Sequence, residues 1–225
     1  SKASLRFVLY LQLVVTLGFK NHTKNIFSRP QTRVRALMPG IPDALALFGG
    51  QFDPFHWGHA HVIQQLLPRF RHIVVLPSAH PPHRAASETP FHHRFAMVQH
   101  ATAQWSAVTV SDYDTQHTPS FALHTVRHFH AQYPGIPITL VIGSDQYAVL
   151  HTWHHIDTLC DLAQFFVVPR DTQPRTNPHL PAAAHITHCT APPYPLSATE
   201  LRADWQATLV PPSVADYCQA HGLYA

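Results

Sequence analysis

The chain has few charged residues, and this shortage argues against a nucleic-acid partner. Lys, Arg, Asp and Glu together make up only 12% of its 225 residues, and the formal net charge at pH 7 is +3. The basic residues are scattered and form no lysine-arginine stripe with interleaved aromatic residues, as nucleic-acid-binding proteins often have. A weakly basic chain still suits a small anionic substrate.

Cysteines are also scarce. Cys160, Cys189 and Cys218 are an odd number, lie far apart and form no Cys-x-x-Cys pair. This argues against a disulfide framework and against a zinc–sulfur site. We interpret the three residues as small, partly buried apolar side chains. Because reduced thiols are typical of reducing compartments, we predict a cytoplasmic protein.

Residues 7–19 form an apolar run that is too short to span a bilayer. Lys2 and Arg6 precede the run, so it has the positive start and short apolar core of a signal peptide, but no good cleavage site follows. Residues 20–35 are polar, basic and without periodicity, and Met38 has the character of a natural start. We therefore predict that residues 1–43 are an extension outside the fold; a targeting or membrane-proximal segment is the alternative.

Strand-like and helix-like segments alternate from residue 45 onward. Apolar or β-branched runs predict strands at 45–48, 72–76, 107–110, 138–142, 164–168 and 184–187. Helical spacing predicts helices at 56–67, 91–103, 120–131, 145–150, 153–160, 198–207 and 212–221. We expect Ser120 to be the N-cap of the third helix.

This alternation predicts an α/β fold for residues 44–225, with a doubly wound, mainly parallel sheet in a single domain. No membrane association is expected for this core domain. Ligands of such sheets bind beyond the carboxyl ends of the strands, where the loops that follow the strands meet. We expect the chemically informative loops after the first, second and fourth strands to gather there.

Residues 49–59, Gly-Gly-Gln-Phe-Asp-Pro-Phe-His-Trp-Gly-His, lie between a predicted strand and a predicted helix. Glycines let the backbone approach a bulky anion closely, because no Cβ stands in the way. A helix start adds unpaired N–H groups and the positive end of a dipole. His56 and His59 are three residues apart at that start, so they project from one face. The arrangement suits a polyphosphate, although it has neither a Walker lysine nor a third dinucleotide-type glycine.

Three more segments carry candidate chemistry. Prolines stiffen residues 77–84 and hold His83 and Arg84 near the strand ends, where a basic loop can bind phosphate; a plain surface loop is the alternative. In residues 196–202, Leu-Ser-Ala-Thr-Glu-Leu-Arg, two hydroxyls precede an arginine whose planar fork suits phosphate. Residues 141–145, Val-Ile-Gly-Ser-Asp, end the fourth strand and precede Thr152 and Trp153.

His151, His154 and His155 have the spacing of metal ligands on a helix. No Asp or Glu lies beside them in the pattern of a zinc protease. We interpret them as a solvated histidine face and predict no metal ion held by protein side chains.

Together these motifs resemble those of the nucleotidyltransferases with a His-x-Gly-His signature. The form Gly-Gly-x-Phe-Asp-Pro-x-His-x-Gly-His is similar to that of the nicotinate-nucleotide adenylyltransferases, and the resemblance covers about residues 44–224. It implies a Rossmann-like domain that transfers AMP from ATP to nicotinate mononucleotide, giving deamido-NAD and pyrophosphate in NAD biosynthesis. It also implies Mg²⁺ bound mainly through the ATP phosphates. Arg84 departs from the family, which usually has lysine there.

The resemblance also implies residue roles. It implies that His56, His59 and Arg202 are catalytic residues. The residues implied to bind the mononucleotide are Arg84, Ser120, Phe121, Trp153 and His154. Trp153 would supply the plane on which the pyridine ring stacks. The residues implied for ATP are Gly49, Gly50, Phe52, His56, His59, Gly143, Asp145, Ser197, Thr199 and Arg202. We interpret the closing segment, 210–224, as structural.

Alternatives stay open at this point. The nearest keeps the chemistry and uses nicotinamide mononucleotide. Another transfers a nucleotidyl group to phosphopantetheine or glycerol phosphate, although Trp153 and the Gly-Gly start weigh against it. A third is a non-catalytic nucleotide-binding regulator on the same fold, which the intact His56, His59 and Arg202 oppose. The sequence leaves the oligomeric state open.

Overall fold

A six-stranded parallel sheet forms the centre of the computed structural model, which describes residue 41 and residues 43–80, 87–116 and 118–224. The strand order is β3-β2-β1-β4-β5-β6, and every neighbouring pair is parallel. This is the order of a doubly wound sheet. The strands are β1 (Leu45–Gly50), β2 (His72–Pro77), β3 (Val108–Val110), β4 (Ile138–Gly143), β5 (Gln164–Val168) and β6 (Ile186–His188).

Helices cover both faces of the sheet. The described residues form α1 (Trp57–Leu66), α2 (Phe91–Thr102), α3 (Ala122–Gln132), α4 (Ser144–Ala148), α5 (Ile156–Leu162), α6 (Ala198–Ala203) and α7 (Pro212–His221). They also form short 3₁₀ turns at Tyr113–Gln116, Leu150–Thr152 and Ala207–Leu209.

Side chains of the strands alternate between two apolar cores. Ala46 and Phe48 of β1 pack into one core with α1, α2, α6 and α7, whereas Leu45 and Leu47 pack into the other with α3, α4 and α5. Successive residues of a strand point to opposite faces, so a strand covered on both sides is apolar throughout. This is why the strands read as continuous apolar runs, and the predicted α/β, mainly parallel fold is confirmed.

Two of the predicted helix starts are wrong. The third helix begins at Ala122 with Phe121 as its N-cap, because the Ser120 hydroxyl donates to the backbone oxygen of Asp114 (3.2 Å). The helix predicted at 153–160 begins at Ile156. Trp153 precedes it in an extended conformation, and His155 is left-handed with φ 51°.

One predicted helix end is also wrong. The helix predicted at 198–207 ends at Ala203, because Asp204 leaves the helical region with φ −139°.

Some predictions concern residues outside the described ranges. The extension predicted at 1–43 is described only at Ile41 and Asp43, both of which contact Arg71: its guanidinium donates to the Ile41 oxygen (3.3 Å) and lies 4.0 Å from the Asp43 carboxylate. Arg84 also lies outside the described ranges. Among the residues that the structure describes, no helix has the length and apolar character needed to cross a membrane.

Candidate active site

A cavity of about 830 Å³ opens at the carboxyl ends of β1, β2 and β4. Gly49 and Gly50 end β1, Leu76 lies near the end of β2, Gly143 ends β4, and all four line the cavity. Strand β2 pairs with one edge of β1, and β4 pairs with the other edge. The cavity therefore lies where the strand order reverses. Open α/β sheets bind their ligands at this switch point.

His56 and His59 form a reciprocal cap at the start of α1. Nδ1 of His56 accepts the Gly58 N–H (3.1 Å), and Nδ1 of His59 accepts the His56 N–H (3.2 Å). Because Nδ1 accepts in both rings, each neutral ring carries its proton on Nε2. Within the described part of the chain, no protein group bonds either Nε2, so both N–H groups are available to a ligand.

Both histidines are neutral in the folded protein. Burial lowers the pKa of His56 to about 3, and the charge of Arg170 acts in the same direction. Burial, then His56 and Arg170, lowers the pKa of His59 well below its ordinary value. The two rings also stack with their centroids 3.8 Å apart, a contact that opposes charging both. At neutral pH the pair therefore supplies hydrogen-bond donors rather than positive charges.

Two glycines of this site leave space for neighbouring side chains. A Cβ on residue 58 would lie 2.9 Å from the ring of His56, so glycine leaves room for the capping histidine. A Cβ on residue 143 would meet Oδ1 of Asp145 and lie 2.7 Å from Nε of Arg170, so one of these side chains would have to move. Gly143 thus lets the Asp145–Arg170 pair fold over the end of β4.

Residues 196–202, called the third motif here, contact residues 49–59, called the first motif, through Arg202. Ser197 caps α6 by accepting the Thr199 N–H (3.2 Å). One turn on, Nη1 of Arg202 donates to the backbone oxygen of Asp53 (2.6 Å), and Nη2 donates to the Thr199 hydroxyl (3.4 Å). The guanidinium is therefore held at the cavity wall by both motifs.

Most of the residues implied for the site lie on this one cavity. All ten residues implied for ATP line it: Gly49, Gly50, Phe52, His56, His59, Gly143, Asp145, Ser197, Thr199 and Arg202. Ser120 and Trp153 line it as well. Phe121 and His154 are not part of its wall; their rings stack on each other with centroids 4.2 Å apart.

Two lining residues were missed from the sequence. Arg170 follows β5 and lies with its Nε 3.6 Å from Oδ1 of Asp145. Its position just beyond a strand end was the available signal. Asp114 is buried, and its carboxylate accepts the Ala79 N–H (2.9 Å), which ties the loop after β2 to the turn before α3.

The three closely spaced histidines do not share one helical face. His151 pairs through Nδ1 with Oδ1 of Asn177 (3.1 Å), and His154 stacks on Phe121. Among the residues that the structure describes, no group of three His, Cys, Asp or Glu side chains is arranged to hold a metal ion.

Fold and site together are those of a nucleotidyltransferase, and comparison with known proteins agrees. The profile of the cytidylyltransferase-like family matches residues 47–204. A probable nicotinate-nucleotide adenylyltransferase of Gemmatimonas aurantiaca is 32% identical over 193 residues, which cover 80% of this chain and 92% of that protein. The protein of the same name from Idiomarina loihiensis is 32% identical over 205 residues, covering 80% and 98%.

Solved structures share the fold. The nicotinic acid mononucleotide adenylyltransferase of Plasmodium falciparum, complexed with NaAD, superposes with a TM-score of 0.66 at 16% identity, covering 81% of this chain and 97% of that one. A putative nicotinate-nucleotide adenylyltransferase from Vibrio parahaemolyticus gives 0.60 at 19%, covering 81% and 95%. The chain belongs to the cytidylyltransferase-like family and, within it, to the nicotinate-nucleotide adenylyltransferases.

Proposed function

We propose that this protein transfers the adenylyl group of ATP to nicotinate mononucleotide, forming deamido-NAD and pyrophosphate in NAD biosynthesis. One observation carries the proposal: His56, His59, Arg202 and Trp153 line a single cavity at the switch point of the sheet. One cavity therefore contains both hydrogen-bond donors for a polyphosphate and an aromatic plane for a pyridine ring. Relatives that are named for this activity support it.

The reaction needs charge stabilisation more than proton transfer. An oxygen of the mononucleotide 5′-phosphate attacks the α-phosphorus of ATP, and the bond from that phosphorus to the oxygen shared with the β-phosphate breaks. The attacking phosphate is already an anion near neutral pH, since its second pKa is about 6. A general base is not required, which suits two histidines that act as neutral donors.

We assign the phosphate contacts to side chains from three parts of the chain. His56 and His59 at the start of α1 donate their Nε2–H groups to ATP oxygens, and Arg202 of α6 and Arg170 after β5 add positive charge. The hydroxyls of Ser197 and Thr199 lie beside Arg202. Charge that develops on the α-phosphate and on pyrophosphate would be stabilised by this fixed set of donors.

Mg²⁺ fits this site as a companion of ATP. Asp114, Asp145 and Glu200 line the cavity from three separate elements, and the described residues offer no grouped set of ligands. Phosphate oxygens and water would therefore supply most of its coordination, as this ion prefers. When bound, Mg²⁺ neutralises charge on the departing pyrophosphate.

The nicotinate pocket is proposed around Ser120 and Trp153. Helix α3 starts beside Ser120, and its internal hydrogen bonds begin with the His124 N–H donating to the Phe121 oxygen (3.0 Å). The N–H groups of Ala122 and Leu123 precede that pattern, so they suit a carboxylate. An amide would bring a donor to the same place. Phe121 and His154 directly follow Ser120 and Trp153 in the chain, so their stacked rings are the proposed edge of this pocket. Arg84 is proposed as a further phosphate contact.

The test is a product assay with purified protein, ATP, Mg²⁺ and each mononucleotide in turn. We expect pyrophosphate and deamido-NAD, with an efficiency for the acid roughly ten- to hundredfold above that for the amide, because mismatched donors cost about 1–3 kcal/mol. Comparable efficiencies would contradict the pocket assignment. ATP binding without pyrophosphate release would identify a regulator instead. Chelation of Mg²⁺ is the matched control and should stop turnover.

We also propose a cytoplasmic location. Cys160, Cys189 and Cys218 are unpaired, and two of them, Cys160 and Cys218, are buried. Burial raises the pKa of both buried thiols, which keeps them protonated and unreactive. Unpaired thiols of this kind support the proposal of a reducing compartment.

A further inference from the structure

Tyr224 follows α7 and does not line the cavity, yet its hydroxyl reaches the first motif. It donates to Oδ1 of Asp53 (2.5 Å) and accepts from the Thr89 hydroxyl (3.2 Å). Its ring stacks on Trp205 with centroids 5.1 Å apart and planes 24° apart. The hydroxyl is therefore fixed by a packed ring and two hydrogen bonds.

Asp53 in turn contacts Arg202 from two sides. Its backbone oxygen accepts from Nη1 of Arg202 (2.6 Å), and its Oδ2 lies 3.9 Å from the same nitrogen. The carboxylate is almost fully buried, and its Oδ2 accepts from the Ser87 hydroxyl (2.5 Å). One carboxylate oxygen thus depends on Tyr224 and the other on Ser87.

Protonation states agree with these donor roles. Burial raises the pKa of Asp53, but the hydrogen bonds from Ser87 and Tyr224 and the charge of Arg202 act against it, and the pKa is lowered overall. Burial and the hydrogen bond to Asp53 raise the pKa of Tyr224, so its hydroxyl keeps the proton that it donates.

We infer that Tyr224 is a positioning residue of the transfer reaction: it holds Asp53, and through Asp53 it directs the guanidinium of Arg202 toward the phosphates of ATP. The inference rests on the proposed function. If the Tyr224 hydroxyl is removed, the buried Oδ1 of Asp53 loses its hydrogen-bond donor, and the carboxylate is stabilised by moving toward another donor. Nη1 of Arg202 already lies 3.9 Å from Oδ2 of this carboxylate, and a closer ion pair with Asp53 would draw the guanidinium away from the cavity.

The first test compares two tyrosine variants. Tyr224→Phe keeps the ring on Trp205 and removes only the hydroxyl. Tyr217→Phe is the matched control, because Tyr217 lies on α7, bonds Nδ1 of His93 (2.9 Å) and is not part of the cavity wall. We expect Tyr224→Phe to lower kcat about tenfold and to raise the Kd for ATP severalfold, as the loss of about 1.4 kcal/mol implies. Tyr217→Phe should change neither.

A double-mutant cycle then separates positioning from general stability. In an Arg202→Gln background, Tyr224→Phe should leave kcat and the ATP Kd unchanged, whereas its effect on the melting midpoint should persist. A kcat penalty that persists without Arg202 would overturn the inference, as would a Tyr224→Phe protein with wild-type kcat and ATP Kd. If Tyr224→Phe does not fold, Ser87→Ala, which removes the donor to the other oxygen of Asp53, takes its place in the cycle with the same expectations.

Measuring ATP binding separately from turnover distinguishes a failure of this inference from a failure of the proposed function. Wild-type protein that binds ATP but releases no pyrophosphate with either mononucleotide would contradict the proposed function alone. The cycle on ATP Kd would then still decide the role of Tyr224. Wild-type protein that does not bind ATP would overturn both.

Discussion

His56 and His59 cap helix α1 with one edge of each ring and face the cavity with the other. The cap uses Nδ1 of both residues, in hydrogen bonds of 3.1 and 3.2 Å, and this fixes the proton of each ring on Nε2. Helix stability and the proposed binding of phosphate thereby depend on the same two side chains. A substitution at either position acts on both properties, and the variants below are chosen to separate them.

The first prediction concerns the donor role of His59. His59→Ala should lower turnover about 100-fold or more, because a contact that strengthens in the transition state is lost. It should also lower the free energy of unfolding by about 1 kcal/mol through loss of the cap. His59→Asn can still accept the His56 N–H but has no N–H at the position of Nε2. We expect it to lose turnover and keep most of its thermal stability; near-normal kcat in His59→Asn would refute the phosphate role.

Stability should fall steadily as the solution is acidified. The pKa of His56 is about 3 and that of His59 is well below normal in the folded chain, whereas unfolded histidine titrates near 6.5. Below pH 6.5 the two histidines therefore bind protons in the unfolded state but not in the folded state. The contribution of the neutral pair is fully present above pH 6.5 and declines below it, by at most about 1.4 kcal/mol per pH unit for each histidine. The decline that is due to His56 extends to about pH 3. Denaturant unfolding at several pH values measures it, and His56→Asn should show a shallower slope.

The pH profile of kcat/KM should fall on its acid side because a group of the substrate becomes protonated. The pKa of His56 is about 3 and that of His59 is well below its ordinary value, so the group that titrates near pH 6 in kcat/KM for the mononucleotide is its own 5′-phosphate. The profile of His56→Asn, although lower throughout, should keep that acid-side fall at the same pH. Disappearance of the fall in this variant would instead assign it to the histidine.

Trp153 provides a test of the nicotinate pocket. Trp153→Ala should raise KM for the mononucleotide about fivefold or more and leave KM for ATP nearly unchanged, because loss of a stacking plane removes about 1 kcal/mol of ring binding. Trp153→Phe keeps an aromatic plane and should recover most of the loss. Equal increases for both substrates would place Trp153 in a structural role.

Removal of residues 1–37 should leave kinetics and melting midpoint unchanged. The shortened chain keeps Ile41 and Asp43, which contact Arg71. It loses the apolar run 7–19 and should therefore be more soluble. A chain that begins at Ala44 is the matched control; it lacks the Arg71 contacts and should melt at a lower temperature. Loss of activity or of the cooperative melt after removal of 1–37 would show that this segment belongs to the fold.

Local sequence was enough to predict the sheet and most of the cavity. Strands covered on both faces must be apolar throughout, so runs such as 45–48 and 138–142 were recognisable. Parallel strands bring the loops at their carboxyl ends together, which is why Gly49, Gly143 and Arg202 line one cavity. Ser120 failed as a predicted cap because a competing acceptor, the Asp114 oxygen, is supplied by another turn.

Only the tertiary structure decided how side chains from distant segments act on one another. Tyr224 and Asp53 are 171 positions apart, and Arg202 and Asp53 are 149 apart. No periodicity or local motif records such pairs, because they exist only once the sheet has brought the chain segments together. The neutral state of His56 and His59 is decided in the same way, since it follows from burial and from Arg170, which a linear pattern does not contain. The sequence by itself determined which groups are present at the site; packing determined their protonation, their orientation and their coupling.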